Sequence, residues 1–200
     1  MKFYKYHGAG NDFILLDNRD GSILDLPVKD WCNRHTGIGA DGLMLLENDP
    51  ELDFRMVYFN SDGGLSTLCG NGARCISRFA ADLGLVKGDT AQFMAADGPH
   101  SARFLPDGDI SLQMHDVRHV EHRGDDMVLH TGSPHYIIFT DRDPAAYDLI
   151  TLAHRVRYSE QYAETGINVN LVEMRSPQTL FMRTYERGVE DETLSCGTGV

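Results

Sequence analysis

Two cysteines stand in the same short setting. Cys69-Gly70-Asn71-Gly72 and Cys196-Gly197-Thr198-Gly199 share the pattern Cys-Gly-x-Gly, and the second follows the first by 127 residues. At that same offset Phe54 matches Phe181 and Tyr58 matches Tyr185 without a gap, so each copy ends a run of strand, polar turn and cysteine. A glycine after the cysteine lets backbone approach a ligand closely. Where a helix starts at once, as the apolar spacing after Cys69 predicts, unpaired backbone N–H groups point at whatever lies beside the thiol. They favour a thiolate and can hold a carboxylate. Taking the α proton from an amino acid leaves a poorly stable carbanion, which needs a strong base, dry surroundings and donors on its carboxylate. Returning a proton to the opposite face inverts the carbon, and a second like residue supplies it. Cys69 and Cys196 are therefore the candidate catalytic pair, one thiolate and one thiol at any moment.

The elements that must position these thiols follow from periodicity. Strands are expected over 12–17, 42–47 and 53–59, with a first helix over 27–35 that carries Pro27 in its opening turn. After the turn Ser61-Asp62-Gly63-Gly64, Ala73, Ile76, Phe79, Ala80 and Leu83 recur at helical spacing, predicting a helix over 72–83 with Gly84 at its C-cap. Strands over 100–105 and 110–114 are joined by the hairpin turn Pro106-Asp107-Gly108-Asp109. The polar run from His115 to Asp126 marks a boundary between an N-terminal half, 1–116, and a C-terminal half, 117–200. The second half then offers strands over 127–131, 135–140, 168–174 and 179–186 with a helix over 149–156. Both halves open alike, with His7-Gly8-Ala9-Gly10-Asn11 before one strand and Thr131-Gly132-Ser133-Pro134 before another.

Composition narrows the function. At 42% hydrophobic and 24% charged residues over 200 positions, the chain reads as soluble and globular. A formal charge of −12 argues against nucleic acid or an anionic membrane as partner, and leaves a small molecule. No apolar run approaches the roughly 20 residues that cross a bilayer, and the N-terminus is too short and aromatic for a signal peptide, so the cytoplasm is expected. There the four cysteines stay reduced, and Cys32 and Cys75 read as buried structural residues. His115, His119 and His122, with Asp116 and Glu121, have helical spacing that could hold a divalent metal, but the segment reads as an exposed connection without an apolar face, and no metal is expected. The segment at His7 lacks the third glycine of a dinucleotide fingerprint, and no pyridoxal-phosphate lysine motif is present, so no cofactor is expected either.

The motifs His7-Gly8-Ala9-Gly10-Asn11-Asp12-Phe13, Asn33-Arg34-His35-Thr36-Gly37-Ile38-Gly39-Ala40-Asp41-Gly42, Phe59-Asn60-Ser61-Asp62-Gly63, Cys69-Gly70-Asn71-Gly72-Ala73-Arg74-Cys75, Tyr185-Glu186-Arg187-Gly188 and Glu192-Thr193-Leu194-Ser195-Cys196-Gly197-Thr198-Gly199 resemble, in order, those of diaminopimelate epimerases. The resemblance runs along the whole chain. It implies an α/β (α+β) fold of two pseudo-symmetric halves, each a curved, mostly antiparallel sheet around a central helix, with the active site in the cleft between them. It also implies interconversion of LL- and meso-diaminopimelate without pyridoxal phosphate or metal, for lysine and peptidoglycan synthesis. Carried over, Cys69 and Cys196 are the two bases, and Gly70, Asn71, Gly197 and Thr198 offer donors to the reacting carboxylate. Asn11, Asn60, Asn168 and Arg187 hold the distal amino-acid end, while His135 and Glu186 sit beside the thiols. Ser133 stands where the family usually has asparagine, and Gly42 where many members carry glutamine. Family members continue past the second cysteine motif, so the second half is expected to be truncated at Val200. A homodimer is compatible with this reading. Two other functions remain open: a non-catalytic domain that binds a diamino diacid, and a proline-type racemase on the same scaffold.

Overall fold

A computed structural model of the chain describes residues 1–199. The chain divides into two compact units, Met1–Met114 and His115–Val200.

The first unit is a seven-stranded sheet whose strands lie in chain order: β1 (Tyr4–Gly8), β2 (Asn11–Asp17), β3 (Gly42–Glu47), β4 (Phe54–Asn60), β5 (Thr90–Ala95), β6 (Gly98–Phe104) and β7 (Ile110–Leu112). Neighbours run antiparallel except β2 with β3 and β4 with β5. Those two parallel steps need crossovers, and each is made through a helix, α1 (Val28–Cys32) and α2 (Gly70–Asp82). The run Phe13-Ile14-Leu15-Leu16 has no polar partner in its alternation because both faces of β2 are covered. Phe13 and Leu15 join the core that receives Phe79 and Ile76 of α2, while Ile14 and Leu16 join the smaller core around Val28 and Cys32 of α1. β3 repeats this, with Met44 and Leu46 on the α2 side and Leu43 and Leu45 on the α1 side.

Both expected helices form, with different bounds. α2 starts two residues earlier than its apolar spacing indicates, directly after Cys69. It ends in a Schellman motif, in which Gly84 at φ +75° donates to Ala81 O (2.9 Å) and Leu85 donates to Ala80 O (3.0 Å). α1 stops at Cys32, short of residue 35. Asn33 turns extended, and its side-chain oxygen accepts from the N–H groups of His35 and Thr36, offering the backbone an alternative to another helical turn.

The second unit is a six-stranded sheet in the order β13 (Asp191–Thr193), β12 (Thr179–Glu186), β11 (Asn168–Ser176), β10 (Pro134–Thr140), β9 (Asp126–His130) and β8 (Val120–Arg123). Only β10 and β11 are parallel, and α3 (Leu149–Arg157) makes that crossover. Asp148 caps α3 by accepting from Thr151 N (3.2 Å), and Leu149 and Ala153 bury against Val169, Leu171 and Tyr185. The units thus retrace one path: β1-β2-α1-β3-β4 and β9-β10-α3-β11-β12 share directions and crossover, and both lead to Cys-Gly-x-Gly. The polar run between the units behaves as a connection. Of the three histidines only His122 lies in a strand, β8, while His115 and His119 precede it outside any helix or strand, so their helical spacing does not arise.

Among the described residues no helix is long and apolar enough to cross a membrane. Phe79 is the largest contribution of α2 to its core and is 1% exposed. Phe79→Ala is expected to lower stability by about 3–5 kcal/mol, read as a shift of the urea unfolding midpoint. A shift below about 1 kcal/mol would mean that α2 does not organise this unit.

Candidate active site

Cys69 occupies the N-cap of α2, where serine or aspartate is usual, and its sulfur accepts from Gly72 N at 3.5 Å. At the motif's second glycine a Cβ would lie 1.9 Å from Met44 Cε, so any side chain at position 72 requires the end of Met44 to move. Cys69 is buried, as are Gly70 and Asn71, whose backbones form the first turn of the helix. The thiol also donates to Asn11 Oδ1 at 3.5 Å. Asn11 arrives there through a two-residue hairpin loop, Ala9-Gly10, in which both residues take positive φ (52° and 87°), the geometry that matches strand twist. Its amide is oriented by Asp41, whose carboxylate accepts from Asn11 Nδ2 (2.6 Å) and pairs with Arg34 (2.6 Å). Asp12, next to it, is pushed up by burial, but hydrogen bonds from Arg34 and Lys5 outweigh this and hold it at about 2. Asn60 closes β4, its N–H bonded to Gly64 O at 2.9 Å.

In the second unit Cys196 lies in a turn closed by Gly199 N donating to Cys196 O (3.1 Å). Its sulfur lies 3.4 Å from Thr198 Oγ1, and that hydroxyl lies 3.0 Å from His135 Nε2. Thr131 Oγ1 fixes the turn by donating to Thr198 O (2.6 Å). Burial first, and then the negative charge of Glu186, push the Cys196 thiol up to about 11, opposed by the Thr198 hydroxyl. His135 is wholly buried, which drives it down to about 4 against the opposing hydrogen bond with Asn170, and His130 and Arg187 lower it further, so its imidazole is neutral at pH 7. Asn168 ties two loops together: its amide nitrogen donates to Ser133 Oγ (2.9 Å) and Pro134 O (3.1 Å), and its oxygen accepts from Arg187 N (2.8 Å). Ser133 is thus a partner of Asn168. The Arg187 guanidinium donates to Thr165 O at 3.0 Å. Cys32 and Cys75 are buried thiols pushed up to about 11 by burial, in keeping with a structural role.

Comparison with known proteins places this arrangement. The family model for diaminopimelate epimerase matches residues 3–120. A diaminopimelate epimerase of Flavobacterium psychrophilum is 49% identical, over 100% of this chain and 78% of its own length. The chain belongs to the diaminopimelate epimerase family. A second member of this isomerase family, from Aquifex aeolicus, is 37% identical with 100% and 78% coverage. The fold recurs in a phenazine biosynthesis protein of the PhzF family from Bacillus anthracis (TM-score 0.70, 13% identity, 100% of this chain and 78% of that one). It recurs also in a hydroxyproline epimerase from Agrobacterium vitis (TM-score 0.68, 13% identity, 98% and 73%).

Within this family frame the structure adds residues that motif reading passed over. Asp41 orients Asn11, Thr131 pins the Thr198 backbone, and Asn170 lies against His135. Gly42 has no room for a side chain, since a Cβ would meet Tyr58 Cε2 at 2.6 Å and Phe59 O at 2.7 Å. The turn after Tyr185-Glu186-Arg187-Gly188 is organised by Glu190, which takes a positive φ of 59°. Its carboxylate accepts from Arg157 (2.8 Å), Tyr185 (3.0 Å), Tyr158 (3.2 Å) and Gly188 N (3.2 Å). In the sequence Glu190 is one of three consecutive acidic residues, Glu190-Asp191-Glu192, and nothing local tells it from a solvated one.

Burial raises Glu190, but Arg157, Gly188 N–H and Tyr185 outweigh it and bring the carboxyl below its ordinary value. A depressed carboxyl stabilises the fold at pH above its unfolded value of about 4.3 and loses that contribution as pH falls through the lower folded value. Between pH 6 and pH 3 the urea midpoint is therefore expected to fall less in Glu190→Gln than in the unaltered protein. An equal fall in both would remove Glu190 from the acid response.

Proposed function

We propose that this protein inverts one α carbon of diaminopimelate, interconverting the LL and meso forms, with Cys69 and Cys196 as the two proton-transfer groups and no cofactor. Family membership supports the substrate. The observation that carries the mechanism is the pair of buried thiols, each seated in its own Cys-Gly-x-Gly and each hydrogen-bonded at the sulfur.

The reaction needs one sulfur to arrive as thiolate and the other as thiol. The base takes the α proton, the electron pair left on carbon spreads into the carboxylate, and the second thiol delivers its proton from the other side. Roles exchange for the reverse direction. In this proposal the first-turn N–H groups of α2, with Gly70 and Asn71, take up the growing carboxylate charge, and Gly197 and Thr198 contribute donors beside Cys196. His135 and Glu186 flank the thiols. Arg187 presents a planar fork suited to the distal carboxylate, with Asn11, Asn60 and Asn168 shaping that end. Asn168 acts partly through Arg187, whose backbone it holds. The four thiols are all reduced, which suits work in the cytosol on the route to lysine.

Incubation with LL-diaminopimelate in deuterated water, followed by proton NMR, tests this. Deuterium is expected at the α carbon together with meso product, and Cys69→Ser or Cys196→Ser is expected to slow both by about a hundredfold or more. Binding without exchange would favour a non-catalytic domain, exchange into proline a racemase, and undiminished turnover in the double variant would remove the thiols from the chemistry.

A further inference from the structure

A line of polar groups runs back from Cys196 into the second unit. Thr198 Oγ1 is 3.4 Å from the sulfur, His135 Nε2 is 3.0 Å from that hydroxyl, and Asn170 Nδ2 is 3.0 Å from His135 Nδ1. His135 pairs across the parallel strands with Asn168, and Asn170 follows two residues on, on the same face of β11. Both His135 and Asn170 are 0% exposed. The backbone of Gly199 closes over them, since a Cβ there would lie 2.9 Å from Asn170 Nδ2 and 3.2 Å from His135 Nδ1.

The direction of each hydrogen bond follows from what the groups can do. An amide nitrogen only donates, so His135 Nδ1 must accept. A neutral imidazole has one N–H, which is then on Nε2. Asn168 Nδ2 also lies 3.4 Å from Nε2, but its hydrogens serve Ser133 Oγ and Pro134 O, so Nε2–H is donated to Thr198 Oγ1. With its oxygen accepting from the imidazole, the hydroxyl has its own hydrogen left for Cys196. The opposite amide orientation would run the whole line backwards, taking the hydroxyl hydrogen to His135. In the structure it is Nδ2 that lies 3.0 Å from Nδ1, with Asn170 Oδ1 left without a hydrogen-bond partner, and this orientation sets the direction of the line.

We infer that Asn170 is a positioning residue for Cys196: through the tautomer it imposes on His135, it directs the hydrogen of the Thr198 hydroxyl to the sulfur and so favours the thiolate. The titratable and charged groups facing this line are Glu186 toward the thiol and His130 and Arg187 toward the imidazole. The inference deepens the reading of Cys196 as a proton-transfer group and rests on it.

The test is the pH dependence of iodoacetamide alkylation of the substrate-free protein, resolved for each cysteine by mass spectrometry. Losing one hydrogen bond to a charged sulfur is expected to move the Cys196 midpoint up by about one pH unit in Asn170→Leu and in Thr198→Val, about tenfold slower alkylation at a fixed lower pH. The double variant is expected to shift no further than Thr198→Val alone, and Cys69 not at all. Asn170→Asp keeps the shape but presents an acceptor to Nδ1. It is expected to shift Cys196 upward as well, and it serves if the leucine variant does not fold. A midpoint unmoved in either Asn170 variant, or additive shifts in the double variant, would overturn the inference. Because substrate is absent, failure here is distinct from failure of the epimerase reading, which appears as missing deuterium exchange.

Discussion

A sulfur that must ionise inside a protein works against its own surroundings. Burial is what keeps water from a carbanion, yet burial also raises the thiol, as it does at Cys196, to about 11. Hydrogen bonds at the sulfur have to make up the difference, and they demand that backbone come close. Glycine stands at both close approaches: Gly72, whose N–H reaches the Cys69 sulfur, lies beneath Met44, and Gly199 folds over His135 and Asn170. The two seats then diverge. Cys69 lies between a helix N–H that donates to it and an asparagine oxygen that accepts from it, while Cys196 is served by a hydroxyl with an imidazole behind it. Equal motifs thus carry unequal hydrogen-bond environments, which fits a reaction that needs one acid and one base at a time.

The scaffold repeats as well. Each unit lays an antiparallel pair, crosses by a helix to a parallel neighbour, returns antiparallel and then reaches the cysteine motif, after which the first unit continues through α2 and β5 to β7. Tyr58 and Tyr185 hold matching places in β4 and β12, the strands that return antiparallel, and both are buried. The loop that opens the second strand of each unit brings polar groups to the thiol's neighbourhood: Asn11 in the first, Ser133 with His135 in the second.

Much of this was legible in the residues. β3 and β12 fall where alternation and apolar runs put them, and α2 was marked by its apolar spacing and by Gly84. β1 escaped although Tyr4 and Tyr6 alternate with polar residues, and the other strands that escaped had weak local signals. β5 and β13 are held by their neighbours more than by their own patterns, and β8 lies in a polar run whose pairing with β9 is a tertiary fact. α1 ended early because Asn33 offered its side chain to the backbone, a choice that propensity alone does not reveal. At the site, Cys69 and Cys196 stand out by residue type and setting, and the structure seats both in buried, hydrogen-bonded positions. Asn170, Asp41 and Glu190 act through other side chains, and common residues in supporting places acquire meaning only once the partners' positions are known.

The proposed mechanism requires two proton donors of different origin at one carbon, and the early distribution of isotope reads this directly. With pure LL-diaminopimelate in deuterated water, at conversions of a few per cent, the α hydrogen is followed separately in product and in remaining substrate. Two thiols predict that newly formed meso product carries deuterium from the second thiol at the inverted carbon while recovered LL substrate keeps its original proton. Product that retains the substrate's own hydrogen, or label entering substrate and product equally from the start, would mean a single base serving both faces and would contradict it.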